Sequence, residues 1–338
     1  MAFNGRFILN VADFSAKLGA DFQTLIQESG ETEEALRAAD CTVSRAAYSK
    51  VVDKAVALTG DPYLGLHLGE GLGLTAAGLI GQITQTSRTV KEALEYCCEF
   101  ANLGCSELPL TMQRHGDYYR VGIQQNLIWA TESPQAYRHT AEGVLVFTLR
   151  ECQALTHGPQ RPIEIHLPWD LPTNTAEYER VFGTSVRFKQ NWFAILLHRT
   201  QVEVPTVSAD YKLLRILVAH AEERSRAFQR KQGFTAVVRQ SMIQLVKPDF
   251  PSVEQVAQHL NVSVRTLQRR LSEDGITFKA LVDEVRKEFA MTYLRKEELS
   301  IGEVAYLLGY ADGSVFSRAC KRWFGESPQQ WRNDHLNS

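Results

Sequence analysis

The chain has no run of roughly eighteen apolar residues, the length that carries a helix through a bilayer, so no membrane partner is expected. Residues 1–10 lack the basic-then-apolar pattern of a secretion signal. The six cysteines, Cys41, Cys97, Cys98, Cys105, Cys152 and Cys320, make no Cys-x-x-Cys pair and sit in no histidine cluster. That argues against a zinc site and for reduced thiols in a cytoplasm. Cys97-Cys98, inside an amphipathic segment, reads as a core and a surface neighbour rather than a redox pair. There is no Gly-x-Ser-x-Gly and no phosphate loop, and the nine histidines are scattered. Gly71-x-Gly73-x-x-Ala76 falls short of a dinucleotide fingerprint, because a helical segment precedes it where the motif needs a strand. Enzymatic activity therefore has no residue to rest on: no catalytic residue, metal ligand or cofactor is expected.

Net charge is nearly absent as well. There are 37 Lys+Arg against 39 Asp+Glu, a formal balance of −2. The 338 residues, 44% hydrophobic and 22% charged, supply enough apolar material for two or three folded domains.

What the sequence does have is a repeated pattern between 252 and 332. Ser252 can cap a helix with Val253, Val256, Ala257 and Leu260 inward. Asn261 follows at a turn, where Asn tolerates left-handed backbone. Ser263 can cap a second helix, with Val264, Leu267 and Leu271 inward and Arg265, Gln268, Arg269 and Arg270 outward. The pattern returns with Ser300 as cap, Ile301, Val304, Ala305 and Leu308 inward, and Gly309 at the turn. Asp312 or Ser314 can cap the next helix, with Phe316, Cys320 and Trp323 or Phe324 inward. Ser314, Ser317, Arg318, Lys321 and Arg322 face out. Between the copies, residues 277–296 read as one long helix that would fix their spacing. Each copy is a helix-turn-helix. Residues 231–338 hold 15 Lys+Arg and 13 Asp+Glu, so basicity is local to the two outward faces.

This segment resembles the DNA-binding domain of AraC/XylS-family transcription regulators. The residues that carry the resemblance are Gly309-Tyr310, Asp312, Ser314, Phe316, Arg318, Lys321-Arg322, Phe324-Gly325, Ser327-Pro328 and Trp331-Arg332. Cys320 stands where the family usually has Phe, and Trp331 where Tyr is usual. The resemblance implies base contacts from Arg265, Gln268 and Arg269 in the first copy. In the second it implies Gly313, Ser314, Ser317 and Arg318. Gly313 has no side chain to read with, so the second copy leans more on shape and phosphates. Arg270, Lys321 and Arg322 complete the expected DNA-binding set.

Further upstream, helices are expected over 11–28, 33–39, 44–58, from Asp61-Pro62 onward, and over 75–84 and 90–103. Alternation around His115-Gly116-Asp117 predicts a β-hairpin from 107–114 and 118–124. A long helix over 134–156 follows, then strands over 163–167, 186–189 and 192–198 and a short helix over 176–182. Asp61-Pro62-x-Leu64-Gly65-Leu66-x-Leu68-Gly69, Gly78-Leu79-x-Gly81 and Glu177-Tyr178-x-x-Val181-Phe182-Gly183 resemble the arabinose-binding-type N-terminal domain of some AraC/XylS regulators. That resemblance implies a sensing or dimerising domain. It assigns no effector-binding residue.

The expected architecture is an α+β N-terminal domain (1–206), a linker helix and joint (207–233), and an all-α domain with two helix-turn-helix motifs (234–338). The expected function is a ligand-responsive transcription activator, with double-stranded DNA, a small-molecule effector, RNA polymerase and a second copy of the chain as partners. The alternative is a regulator whose N-terminal domain only dimerises or binds a protein.

Overall fold

A computed structural model describes residues 2–38, 40–156, 161–172, 174–246, 250–297 and 299–336. The chain divides into two compact units, residues 1–225 and 226–338.

The first unit mixes helices with two sheets. It opens with β1 (Ala2–Asn4), α1 (Arg6–Lys17), α2 (Phe22–Glu28), α3 (Glu33–Arg37), β2 (Thr42–Ser44) and α4 (Arg45–Thr59). It continues through α5 (Leu64–Gly71), α6 (Leu79–Thr86) and α7 (Val90–Phe100) to the hairpin β3 (Leu110–His115) and β4 (Tyr118–Ile123). Then come α8 (Leu127–Glu132), α9 (Pro134–Ala154), β5 (Glu164–His166), α10 (Ala176–Phe182), β6 (Val186–Arg187), β7 (Phe193–His198) and α11 (Arg199–Val202). α12 (Tyr211–Gln232) begins in this unit.

β1 and β2 pair antiparallel as a small sheet of their own. The larger sheet has the order β3-β4-β7-β5-β6, antiparallel except where β5 meets β6. The expected hairpin is present, with its turn at Gly116. Above the sheet runs α9, and its burial on several sides explains its high share of small residues. It crosses α5 so closely that backbone meets backbone. A Cβ at Gly65 would lie 2.2 Å from the His139 carbonyl oxygen, and one at Gly69 would lie 2.5 Å from that of Gly143. The Leu-Gly repeats of α5 are thus a packing device: glycine alone permits this approach. Near the small sheet, Phe3 stacks on Tyr48 with centroids 4.0 Å apart, and Trp129 meets Phe3 edge-on. The indole Nε1 of Trp129 donates to Ser49 Oγ at 2.9 Å, so the buried ring carries no orphan donor.

Several expectations are corrected. Residues 11–28 are not one helix: Gly19, at φ 95°, turns the chain between α1 and α2, and α1 begins at Arg6. Residues 75–84 split into a single 3₁₀ turn (Leu74–Ala77) and α6, with the break at Gly78, φ 57°. β1, β2, α8 and α11 were not expected; each is too short to show a period. Apart from these corrections, Val90 N donates to the Val204 carbonyl and Thr206 N to that of Arg88.

The second unit holds α13 (Phe234–Leu245), α14 (Val253–His259), α15 (Val264–Glu273), α16 (Phe278–Leu294), α17 (Ile301–Leu307), α18 (Gly313–Phe324) and α19 (Pro328–Leu336). Gly233, at φ 76°, stands between α12 and α13. Val238, Met242, Val256, Leu267, Leu271, Leu281 and Val285 fill the core around the first helix-turn-helix, and Val304, Leu308, Phe316 and Cys320 that of the second; all are fully buried.

Candidate nucleic-acid interface and the N-terminal cavity

The two helix-turn-helix units are built by the same backbone devices. In the first, Ser252 Oγ accepts from Gln255 N at 3.3 Å while Gln255 Oε1 accepts from Ser252 N at 2.8 Å, a reciprocal capping box. Ser300 and Glu303 repeat it at 3.2 and 2.7 Å. Asn261 and Gly309 hold left-handed backbone at φ 51° and 71°. The residue after each turns back to donate to the preceding helix: Val262 N to the Ala257 carbonyl at 2.9 Å, Tyr310 N to that of Ala305 at 3.0 Å. The small Ala257 and Ala305 leave room at each crossing. The copies then diverge. Ser263 caps α15 two residues after Asn261, whereas Asp312 caps α18 three residues after Gly309, so the second turn is one residue longer.

Asp312 Oδ1 accepts from the amides of Ser314 and Val315 at 2.8 and 3.0 Å and from the Ser314 hydroxyl at 2.6 Å. The Ser314 hydroxyl, followed by the two amides, holds the Asp312 carboxyl below the usual carboxylate range, so the cap stays ionised.

The outward faces lie where the pattern placed them. Arg265, Gln268, Arg269 and Arg270 are exposed on α15; Ser314, Arg318, Lys321 and Arg322 are exposed on α18, with Ser317 half-buried. The cations are not equivalent. Among the described residues, Arg265, Arg318 and Lys321 make no ion pair. Arg269 pairs with Glu273 one turn on. The Arg270 guanidinium lies 4.8 Å from the centre of the Phe234 ring on α13. Arg322 donates to Asp283 of α16 at 2.7 Å, and Trp323 Nε1 donates to the other oxygen of the same carboxylate at 2.9 Å. Arg322 therefore also struts α18 against the connecting helix.

Sequence reasoning missed two residues of this connection, Arg286 and Asp283, and gave Arg332 no structural role. Arg286 of α16 lies between the rings of Phe250 and Tyr310, 5.1 and 5.2 Å from their centres. Asp283 receives the strut just described. Arg332 donates from Nε to the Leu294 carbonyl at 2.9 Å, which satisfies an orphan acceptor at the end of α16. These are long-range pairings with no local sequence signal.

The first unit contains a cavity of about 430 Å³, walled by residues of α1, α3, α4, α5, α6, α7, α9 and α12, among others. That lies within the range of roughly 300–1,000 Å³ that encloses small-molecule ligands. Apolar side chains such as Leu94, Leu108, Val144 and Phe147 dominate its lining. Arg6, Asp13 and Arg37, exposed, mark its solvent end. Thr84, Cys152 and Glu151, all buried, and the half-buried Cys97 also line it.

Paired helix-turn-helix units on a connecting helix, in a chain that also holds a mixed α/β unit, define a DNA-binding transcription regulator of two-headed type. Residues 19–205 match the N-terminal arabinose-binding domain of AraC transcription regulators, and residues 256–334 match a helix-turn-helix domain. The chain belongs to the AraC family of transcription regulators. It is similar to the ornithine utilization regulator of Pseudomonas aeruginosa, 29% identical over 326 residues that cover 95% of this chain and 93% of that protein. It is also similar to VirS of Mycobacterium tuberculosis, 25% identical over 325 residues, again 95% and 93% of the two chains. Among solved structures, the transcriptional regulator CdpR of Pseudomonas aeruginosa aligns over 92% of this chain and 96% of its own, at 26% identity and a TM-score of 0.44. The relatives are regulators; the chain is a DNA-binding regulator and not an enzyme. Among the described residues no helix is long and apolar enough to cross a membrane.

Proposed function

We propose that this regulator is a ligand-responsive activator in which α15 and α18 read successive major grooves on one face of the duplex, about 34 Å apart. Residues 1–206 form the effector domain, 207–233 the connector and 234–338 the DNA-binding domain. The observation that carries the reading is the pair of exposed, unpaired arginines, Arg265 and Arg318, each on the second helix of a helix-turn-helix whose first helix opens on the same capping box. Arg265 and Arg269 have the reach to bond guanine at two points, and Gln268 to do so with adenine. Arg318 does the same from α18. Ser314 has committed its proton to Asp312, so it meets DNA as an acceptor. Ser317 sits beside it. Arg270, Lys321 and Arg322 grip phosphates and set register. Binding-site selection on the full-length chain tests this assignment: an unchanged motif for Arg265→Ala and Arg318→Ala would end it.

The effector reading rests on the N-terminal cavity. A small molecule there shifts the chain between two states for which it has unequal affinity. Similarity to a regulator of ornithine utilization supports a metabolite as the signal. Contact with RNA polymerase follows from activation and would be seen as loss of transcription without loss of DNA binding in surface variants. Reporter assays with and without the regulator settle the sign.

One observation favours self-association as well. Leu213 and Ile216, a turn apart on α12, are exposed, Ile216 at 67%. A homodimer burying them would be dissolved by Ile216→Asp, read as a halved mass in sedimentation.

A further inference from the structure

Two acids line the N-terminal cavity, and they differ. Asp13 is exposed, while Glu151 of α9 keeps 7% of its surface. Glu151 Oε2 lies 3.0 Å from Thr84 Oγ1, but the Thr84 hydroxyl is also 2.8 Å from the Gly81 carbonyl. One hydroxyl has one proton, so it serves these two acceptors in turn. Glu151 Oε1 is sealed from solvent and accepts no hydrogen bond from the described residues. A carboxylate can accept about four hydrogen bonds; this one is offered a shared half.

The neighbours do not make up the deficit. Cys97 of α7 and Cys152 beside it face Glu151 with thiols that burial pushes far up, Cys152 to about 12, so both remain neutral, weak donors. Burial likewise drives the Glu151 carboxyl up to about 7, against the Thr84 bond. The lining cations are Arg6, Arg37 and Arg224; Arg37 is engaged by Glu33, and none of the three offsets that rise. A fold gains nothing from a charged group left so short of partners in an apolar wall. The shortfall is met if the partner arrives with the ligand.

We propose that the cavity takes a small organic ammonium ion, whose N–H groups meet Glu151 while its hydrocarbon body lies against Leu94, Val144 and Phe147. This deepens, and rests on, the reading of the cavity as the effector site. The pairing has a proton balance. An ammonium ion needs the ionised carboxylate, so below about pH 7 its binding expels the Glu151 proton to solvent. Apparent affinity then falls about tenfold per pH unit below that point and is level above it. A neutral ligand shows no such slope. A carboxylate ligand shows the opposite one.

The test uses the full-length chain and matched probes: phenethylamine, 2-phenylethanol and phenylacetate, with hexylamine, hexanol and hexanoate as a second set. Thermal shift and calorimetry are run between pH 6 and pH 8. The expected result is a rise in Tm with the amines, stronger binding at pH 8 than at pH 6 by about tenfold, and loss of the response in Glu151→Gln. That variant keeps the shape and the Thr84 contact, and its folding is checked by circular dichroism. An amine response that survives Glu151→Gln, an amine affinity flat in pH, or no amine response at all in the wild type overturns the ammonium assignment. Binding by the alcohols or carboxylates alone overturns it too, yet leaves the effector reading standing. That reading fails separately if metabolite extracts of every charge class leave both Tm and DNA binding unmoved.

Discussion

The guanidinium of Arg286 lies 5.2 Å from the centre of the Tyr310 ring. Tyr310 follows the turn glycine of the second helix-turn-helix, and Arg286 belongs to the helix that joins the two copies. On its other side Arg286 meets Phe250, which precedes the first copy. One side chain therefore touches structure attached to both heads. Arg286→Ala is expected to cost about 1–2 kcal/mol in chemical denaturation of the full chain. It should also weaken binding to a complete two-groove site more than to a half-site, measured by fluorescence anisotropy. Equal losses on both DNAs would mean that the ring sandwich does not hold the heads in register.

The crossing of α5 and α9 makes a stability prediction. Gly65→Ala places a methyl 2.2 Å from the His139 carbonyl oxygen, where neither backbone can yield without moving a whole helix. A loss of at least about 2 kcal/mol is expected, read as a lowered midpoint in urea. Gly60→Ala is the contrast: its Cβ would meet nothing within 4 Å, so its cost is confined to the left-handed backbone at φ 63°.

On DNA, the cations separate by what already holds them. Arg265→Ala should lose about 1–3 kcal/mol at one base pair and relax specificity there. Lys321→Ala should weaken all sequences alike and reduce the slope of log affinity against log salt by about one. Arg270→Ala should do as Lys321→Ala does and in addition lower stability by about 0.5–1 kcal/mol, because its guanidinium covers the Phe234 ring. Competition binding across a salt series distinguishes the three.

Glu151 sets a pH dependence of folding. Its carboxyl titrates near 7 in the fold, raised from an ordinary value of 4.5 by burial, with Thr84 opposing. The folded state thus holds a proton that the unfolded chain gives up earlier. The stability from this group is complete below pH 4.5 and is lost as pH rises through about 7. Glu151→Gln removes that loss and should be more stable than wild type by about 3 kcal/mol at pH 8, with little difference near pH 4.5. Urea titrations at the two pH values check it; equal stabilities at pH 8 would contradict the burial.

Much of this architecture is legible in the sequence because its signals are local. A serine three residues ahead of Gln255 or Glu303, an asparagine or glycine at the turn, and a 3.6-residue apolar period each act within one or two turns of helix. The helix-turn-helix boundaries follow from them, and so does the hairpin about Gly116. What the sequence hid is pairwise and distant. Nothing near Arg286 announces Phe250 or Tyr310, and nothing near Asp283 announces Arg322. The breaks at Gly19 and Gly78 were masked because apolar periodicity runs through both glycines. The cavity was hidden most deeply: its wall draws residues from eight helices, and Glu151 looks, in sequence, like any acid on a helix surface.

The extra residue between Gly309 and Asp312 bears on the proposed grip on DNA. It makes the second head a different object from the first, since α18 starts one residue further from its turn than α15 does. If the two heads grip one duplex as proposed, a single chain meets its two grooves in a fixed order, and an inverted copy of the site is a different site to that chain.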